Sequence, residues 1–250
     1  IAAKLVESGN EVLVHTRGSH GAELALNGLV IDGVWERVIT PKEWFVTLDE
    51  IELPPELNHY FDQAIITGKS KDTKSLCEVA KYLTNGPVLS LQNGLGNLEI
   101  LKDFFFENTA VGVTTNAVTK SSPGKITWVS KGNIHISGSK GKEFEKSLEI
   151  FGAEYFHSHE EILWKKLLIN VAINPIAAMC GVKNGELANE PLLSQCESIM
   201  IEAANIARLS GVEVPADIEL VETLHKVISD TSENICSMLS DVKEGRETEI

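Results

Sequence analysis

Basic residues are in short supply in this chain: 22 Lys and Arg stand against 36 Asp and Glu in 250 residues, giving a formal net charge of −14. That balance excludes a general polyanion partner, because binding DNA or RNA needs a basic surface that displaces counterions. A small anionic ligand stays open, since a few cations or helix N-termini can converge locally on an acidic protein. Cysteine is scarce too. Cys77, Cys180, Cys196 and Cys236 lie far apart with no CxxC pair, which argues against a disulfide framework or a cysteine zinc site and fits a reducing, cytoplasmic compartment. His157 and His159 would share one face of a strand, yet no cysteine or carboxylate pattern completes a metal set, so no metal is expected. No apolar run approaches the roughly 18 to 20 residues a membrane helix needs, so a soluble protein with no membrane partner is expected. What is present in quantity is hydrophobic residue, 43% of the chain. That suffices for a sizeable core, and at roughly 150 residues per domain the length fits two domains.

Ile1 to Ser8 reads as the end of a helix, stopped by Gly9-Asn10, and Glu11 to Thr16 is a short β-branched run ending at Arg17. In a dinucleotide-binding βαβ unit, a helix, a glycine turn and a strand come after the first strand and its Gly-rich loop, so that loop is expected before residue 1. Gly245 to Ile250 stops without a cap or polar tail, which reads as an interrupted element.

Strand-like runs recur at Gln63–Thr67, Pro87–Leu91, Ala110–Thr115 and Gly132–Ser137. Between the first two, Asp72 to Leu83 places Leu76, Val79, Ala80 and Leu83 on one helical face. This alternation predicts a mainly parallel sheet covered by helices, while Gly28 to Thr47 is more hairpin-like. Ligands bind at the carboxyl ends of strands in such sheets, which singles out three places. Arg17 stands where an acidic residue would take the ribose 2′-hydroxyl of NAD, and a basic residue accommodates the 2′-phosphate of NADP; the alternative is a surface arginine. Lys69 follows its strand through Gly68 and reads as a ligand for a cofactor phosphate or as a solvated loop lysine. Gln92-Asn93-Gly94-Leu95-Gly96 lets backbone approach a ligand while Asn93 offers donor and acceptor, although such a turn alone is weak.

From about Glu160 the chain turns helical, so residues 1–157 and 158–250 read as the two domains. Glu161 to Met179 is apolar nearly all round, with Lys166, Asn170 and Asn174 stacked at i, i+4, i+8 as its polar stripe, and Pro175 is expected to bend the helix or end its first section. Burying an ammonium and two amides costs free energy unless each finds a partner, and function is one reason to keep them there. A desolvated lysine can donate a proton near neutral pH to an oxygen gaining negative charge; the alternative is a solvated stripe. Asn184, in the turn Asn184-Gly185-Glu186-Leu187, is a further candidate ligand. Ser232 to Val242 reads as a helix with Ser237 near the edge of its apolar face.

These segments together resemble the ketopantoate reductase (2-dehydropantoate 2-reductase) family. The similarity lies in ITGKSKDT (66–73), SLQNGLGN (90–97), LWKKLLINVAINPIAAMCGVKNGEL (163–187) and SENICSMLSDVKEGRETEI (232–250), in that order. The resemblance implies α/β plus all-α architecture: a Rossmann-type dinucleotide-binding domain joined to a helical domain, with the active site in the cleft between them. It implies reduction of ketopantoate to pantoate with NADPH, a step toward pantothenate and coenzyme A, by a monomer or homodimer. Carried over by position, Lys166 is the general acid, and Asn170, Asn174, Asn184 and Ser237 bind substrate. Arg17, Lys69 and Asn93 contact cofactor, Asn93 also touches substrate, and Glu249 lies near the reacting centre and the nicotinamide. Val118 stands where the family commonly has a small alanine against the cofactor. The competing readings are a reductase of another branched 2-keto acid and a non-catalytic NADPH-binding regulatory protein.

Overall fold

The computed structural model describes residues 1–249, apart from the side chain of His159. In its first part the chain runs α1 (Ala2–Glu7), β1 (Leu13–Thr16), α2 (Gly18–Leu26), β2 (Leu29–Gly33), β3 (Arg37–Ile39), β4 (Phe45–Leu48) and β5 (Ala64–Ile66). It continues with α3 (Thr73–Leu83), β6 (Val88–Ser90), α4 (Asn97–Phe105), β7 (Thr109–Thr114), β8 (Ala117–Ser122), β9 (Lys125–Ser130), β10 (Ile134–Ser137), α5 (Gly141–Ser147) and β11 (Ala153–Tyr155). The central sheet is five-stranded, in the order β11-β10-β7-β6-β5. Its β5, β6 and β7 are parallel and β10 runs antiparallel to β7.

Side chains alternate across a strand, and β6 shows what this does. Val88 packs with Ile66, Cys77, Ala80, Leu101 and Phe105 beneath α3 and α4. Its neighbour Leu89 points to the other face, with Ile134, Ile136, Phe144 and Leu148. Burial on both faces is why this strand is continuously apolar.

Two features depart from the sequence reading. Residues 28–47 are a hairpin only in part: β2 and β3 pair antiparallel, but β4 leaves them and pairs parallel with β1. The β8–β9 hairpin has no counterpart in that reading; it turns at Pro123-Gly124, with Gly124 at φ +69°, and joins β2 and β3 in a four-stranded sheet.

The second part is helical: α6 (His159–Cys180), a 3-10 turn Asn184–Ala188, α7 (Leu192–Leu209), α8 (Asp217–Asp230) and α9 (Ser237–Lys243). Ser158 starts α6 by accepting a hydrogen bond from the Glu161 amide at 3.2 Å, and Gly181 ends it in the left-handed region at φ 69°. Pro175 does not end the helix, which runs on to Cys180. Over Glu160–Cys180 its mean hydropathy of 1.3 makes it long and apolar enough to cross a membrane by length and composition, contrary to the expectation that no run approaches that length. Its apolar side chains are committed inside the protein. Leu168, Ala172, Ile173, Ile176 and Ala177 form one core with Cys196, Met200, Leu224 and Leu239. The helix expected from Ser232 begins only at Ser237, because Cys236 is extended (φ −64°, ψ 156°) and caps it with its thiol, which accepts from the Leu239 amide at 3.4 Å.

Ile162 and Leu163, in the first turns of α6, are buried against Leu98, Val111 and Val113 of the first domain. This seam puts the next turn of α6 at the carboxyl end of β7.

Candidate active site

Lys166 is that next turn. Its Nζ donates to the carbonyl of Thr114, the last residue of β7, at 2.9 Å. Burial pushes its pKa below the ordinary lysine value, and the Glu249 carboxylate pulls in the opposite direction. Lys165 is instead exposed and paired with Glu161. One and two turns along the Lys166 stripe, Asn170 and Asn174 are half-buried. The Cys236 thiol lies 3.6 Å from the Asn174 carbonyl, so Ser237, the first residue of α9, sits beside this end of the stripe and is exposed.

The facing wall comes from the loops after β5 and β6, held by a polar network. Gln92 Nε2 donates to the Lys69 carbonyl at 3.1 Å and to Thr73 Oγ1 at 3.0 Å. The Asn93 carbonyl accepts from Ser70 Oγ at 2.6 Å and from Asn97 Nδ2 at 3.0 Å. Gln92, Thr73 and Asn97 are 3%, 0% and 2% exposed, and satisfied buried amides of this kind are rigid. With its backbone fixed, Asn93 directs Nδ2 to Glu249 Oε2 at 3.3 Å. Gly94 and Gly96, at φ 85° and 86°, then turn the chain into α4 in a conformation that side-chain-bearing residues rarely adopt.

The structure thus brings together Lys166, Asn93 and Glu249, and places Asn174 beside Ser237. The remaining expected residues stand apart from that centre. Arg17, at the end of β1, is bonded to Asp72 Oδ2 at 2.5 Å, with Asp49 at 3.9 Å. Lys69 donates to Asp241 Oδ2 at 2.7 Å and to the Glu247 carbonyl at 2.6 Å. Asn184 is buried, its Nδ2 bonded to Thr231 Oγ1 at 2.9 Å, while its Oδ1 has no partner. Val118 stands opposite Trp128 in the β8–β9 pair, 51% exposed. Asp241 and the Ser70–Thr73–Asn97 network had no signal in the sequence beyond their polarity, because their partners are distant along the chain. No cluster of three or more metal-ligating side chains occurs among the described residues; the side chain of His159 is outside them.

Comparison with known proteins bears on this arrangement. Residues 1–141 match the family model for ketopantoate reductase PanE/ApbA, and residues 158–250 match that for the ketopantoate reductase PanE/ApbA C terminal. The chain belongs to the ketopantoate reductase family. It is 32% identical to the 2-dehydropantoate 2-reductase of Pyrococcus abyssi, over 98% of this chain and 81% of the relative. Among solved structures, 2-dehydropantoate 2-reductase from Geobacter metallireducens superposes with TM-score 0.86 at 23% identity, covering 99% of this chain and 84% of that one. D-mandelate dehydrogenase, solved with NADH and anilino(oxo)acetate, superposes with TM-score 0.88 at 22% identity, covering 99% and 83%. Two proteins named for different substrates therefore share this fold, and the fold alone does not choose between them. The two-part division of the ketopantoate reductase family, a dinucleotide-binding α/β domain and a helical domain, is the architecture of this chain.

Proposed function

We propose that this chain reduces 2-dehydropantoate to pantoate with NADPH, a step of pantothenate and coenzyme A biosynthesis, in the cytoplasm as a monomer or homodimer. The observation that carries the reading is Lys166: a half-buried ammonium anchored on the Thr114 carbonyl at 2.9 Å, within reach of the Glu249 charge.

A dinucleotide fits the residues present. Nothing lies within 4 Å of where a Cβ would stand on Gly96, which leaves room at the glycine turn. Arg17 is more than half exposed at the end of β1, where a 2′-phosphate would meet it. When bound, the reduced nicotinamide supplies the hydride for the ketone carbon. Lys166 holds the proton that goes to the ketone oxygen as it gains negative charge, and the same ammonium stabilises that charge. Asn170, Asn174, Asn184 and Ser237 orient the keto acid, with Asn93 shared between substrate and cofactor. The unpartnered Oδ1 of Asn184 supports this role, since a buried acceptor without a donor costs about 1–3 kcal/mol and a ligand group can supply one.

The test is oxidation of NADPH with ketopantoate, pyruvate and 2-ketoisovalerate as competing substrates. Ketopantoate is expected to be preferred, and Lys166→Ala to lose about 10²–10⁴-fold in kcat. Unchanged turnover in Lys166→Ala sinks the proton-donor assignment. Preference for 2-ketoisovalerate assigns the chain to another branched keto acid, and bound NADPH with no turnover assigns it to regulation.

A further inference from the structure

The two domains are also joined away from the lysine-asparagine stripe. Asp241 on α9 is 7% exposed, yet its two carboxylate oxygens hold cations from opposite directions. Oδ2 accepts from Lys69 of the nucleotide domain at 2.7 Å, and Oδ1 accepts from Arg246 Nε at 2.9 Å. The Asp241 carbonyl also accepts from the Arg246 amide at 2.8 Å, and Lys69 reaches past Asp241 to the Glu247 carbonyl at 2.6 Å. Beyond α9, residues 244–249 have no helix or strand of their own and are almost wholly exposed. Their other tie to the first domain near this point, Lys71 with Glu247, is half or more exposed on both sides, and such pairs contribute little by themselves. A charge-assisted pair on a buried carboxylate is stronger and more directional. At the end of the segment so pinned, Glu249 meets Asn93 Nδ2 at 3.3 Å.

We infer that Asp241 is a positioning residue: by clamping Lys69 and Arg246 on one buried carboxylate, it lays residues 244–249 against the nucleotide domain and seats Glu249 at Asn93, within electrostatic reach of Lys166. Three elements bear on that ammonium. From β7 it meets the uncharged Thr114 carbonyl, on α6 Lys165 turns away to Glu161, and from the C-terminal segment comes Glu249. Among the described residues Glu249 is the charged group whose field acts on Lys166. Losing Asp241 therefore acts on Lys166 through Glu249. A residue that merely clamped the domains together would leave that titration alone.

The effect on turnover rests on the proposed role of Lys166, whereas the seating of Glu249 does not. Competitive acetylation across pH, read at Lys166 by peptide mass spectrometry, measures its protonation without any substrate. Asp241→Asn and Glu249→Gln are each expected to shift Lys166 titration to lower pH, and the double variant no further than Glu249→Gln alone. In an active enzyme kcat at alkaline pH falls about tenfold in Asp241→Asn, as for a misplaced catalytic group. Lys166 titration unmoved in Asp241→Asn, or unmoved in Glu249→Gln, overturns the inference. Should Asp241→Asn not fold, Arg246→Leu at an exposed position is expected to shift the titration in the same direction, and no shift there overturns the inference equally. If no keto acid is reduced while Lys166 moves as stated, the proposed activity fails and the positioning role stands.

Discussion

Lys166 is held with its charge partly stripped of water, so its neutral form is favoured and its pKa lies below that of an ordinary lysine. A proton donor must be protonated, so kcat is expected to fall as pH rises through that lowered value. Glu249→Gln removes the charge that opposes the shift, and a pH–rate profile should show the fall beginning at lower pH. The same sign governs stability: between the lowered value and the ordinary one the unfolded chain binds the proton more tightly, so this lysine's contribution to stability rises with pH. Urea midpoints of wild type against Lys166→Met across that window should show the difference. Arg17 makes a second prediction at this scale. Asp72 occupies its guanidinium at 2.5 Å, so a 2′-phosphate must compete for it. With the side chains 57% and 19% exposed, the pair is worth at most about 1 kcal/mol, and Asp72→Asn should tighten NADPH relative to NADH by about two- to fivefold in fluorescence titrations. The residue types were readable in sequence; the partners were not. Neither the Asp72 that restrains Arg17 nor the Asp241 that holds Lys69 could be paired from positions 55 and 172 residues away.

Among the elements, α6 is the one whose sequence and structure agree most closely. A hydroxyl cap at Ser158, acidic residues in the first turn and glycine at the stop all favour a helix there. The i, i+4, i+8 spacing of its polar residues then needs no tertiary information to share one face. Ser158→Ala should cost about 1 kcal/mol and lower Tm by about 2–4 °C while leaving Lys166 titration unchanged. Calorimetry and acetylation of the same variant check both parts. By contrast β8 is exposed over nearly its whole length and β9 only partly covered, so neither shows the apolar alternation that marks a half-buried strand. Pro123-Gly124 was the available signal. The start of α9 is hidden for another reason: its apolar spacing extends back to Ile235, but the extended Cys236 interrupts the backbone. Side-chain periodicity is blind to that.

At the scale of the whole molecule, the site exists because α6 is seated on β7. Leu163, 8% exposed, packs there with Val111 and Val113 three residues before the lysine. Leu163→Ala should destabilise the protein by about 2–4 kcal/mol in urea titrations and reduce kcat more than KM, since it loosens the seam that aims Lys166 at the end of β7. Hydrophobic periodicity was enough to divide the chain into an α/β part and a helical part and to line up Lys166, Asn170 and Asn174, because both depend on neighbours within a few residues. The meeting of Asn93, Glu249 and Lys166, the parallel pairing of β4 with β1, and the clamping of Lys69 by Asp241 were decided by tertiary structure alone. Each depends on where distant segments dock, and buried surface and paired charge between such segments leave no periodic trace in the sequence.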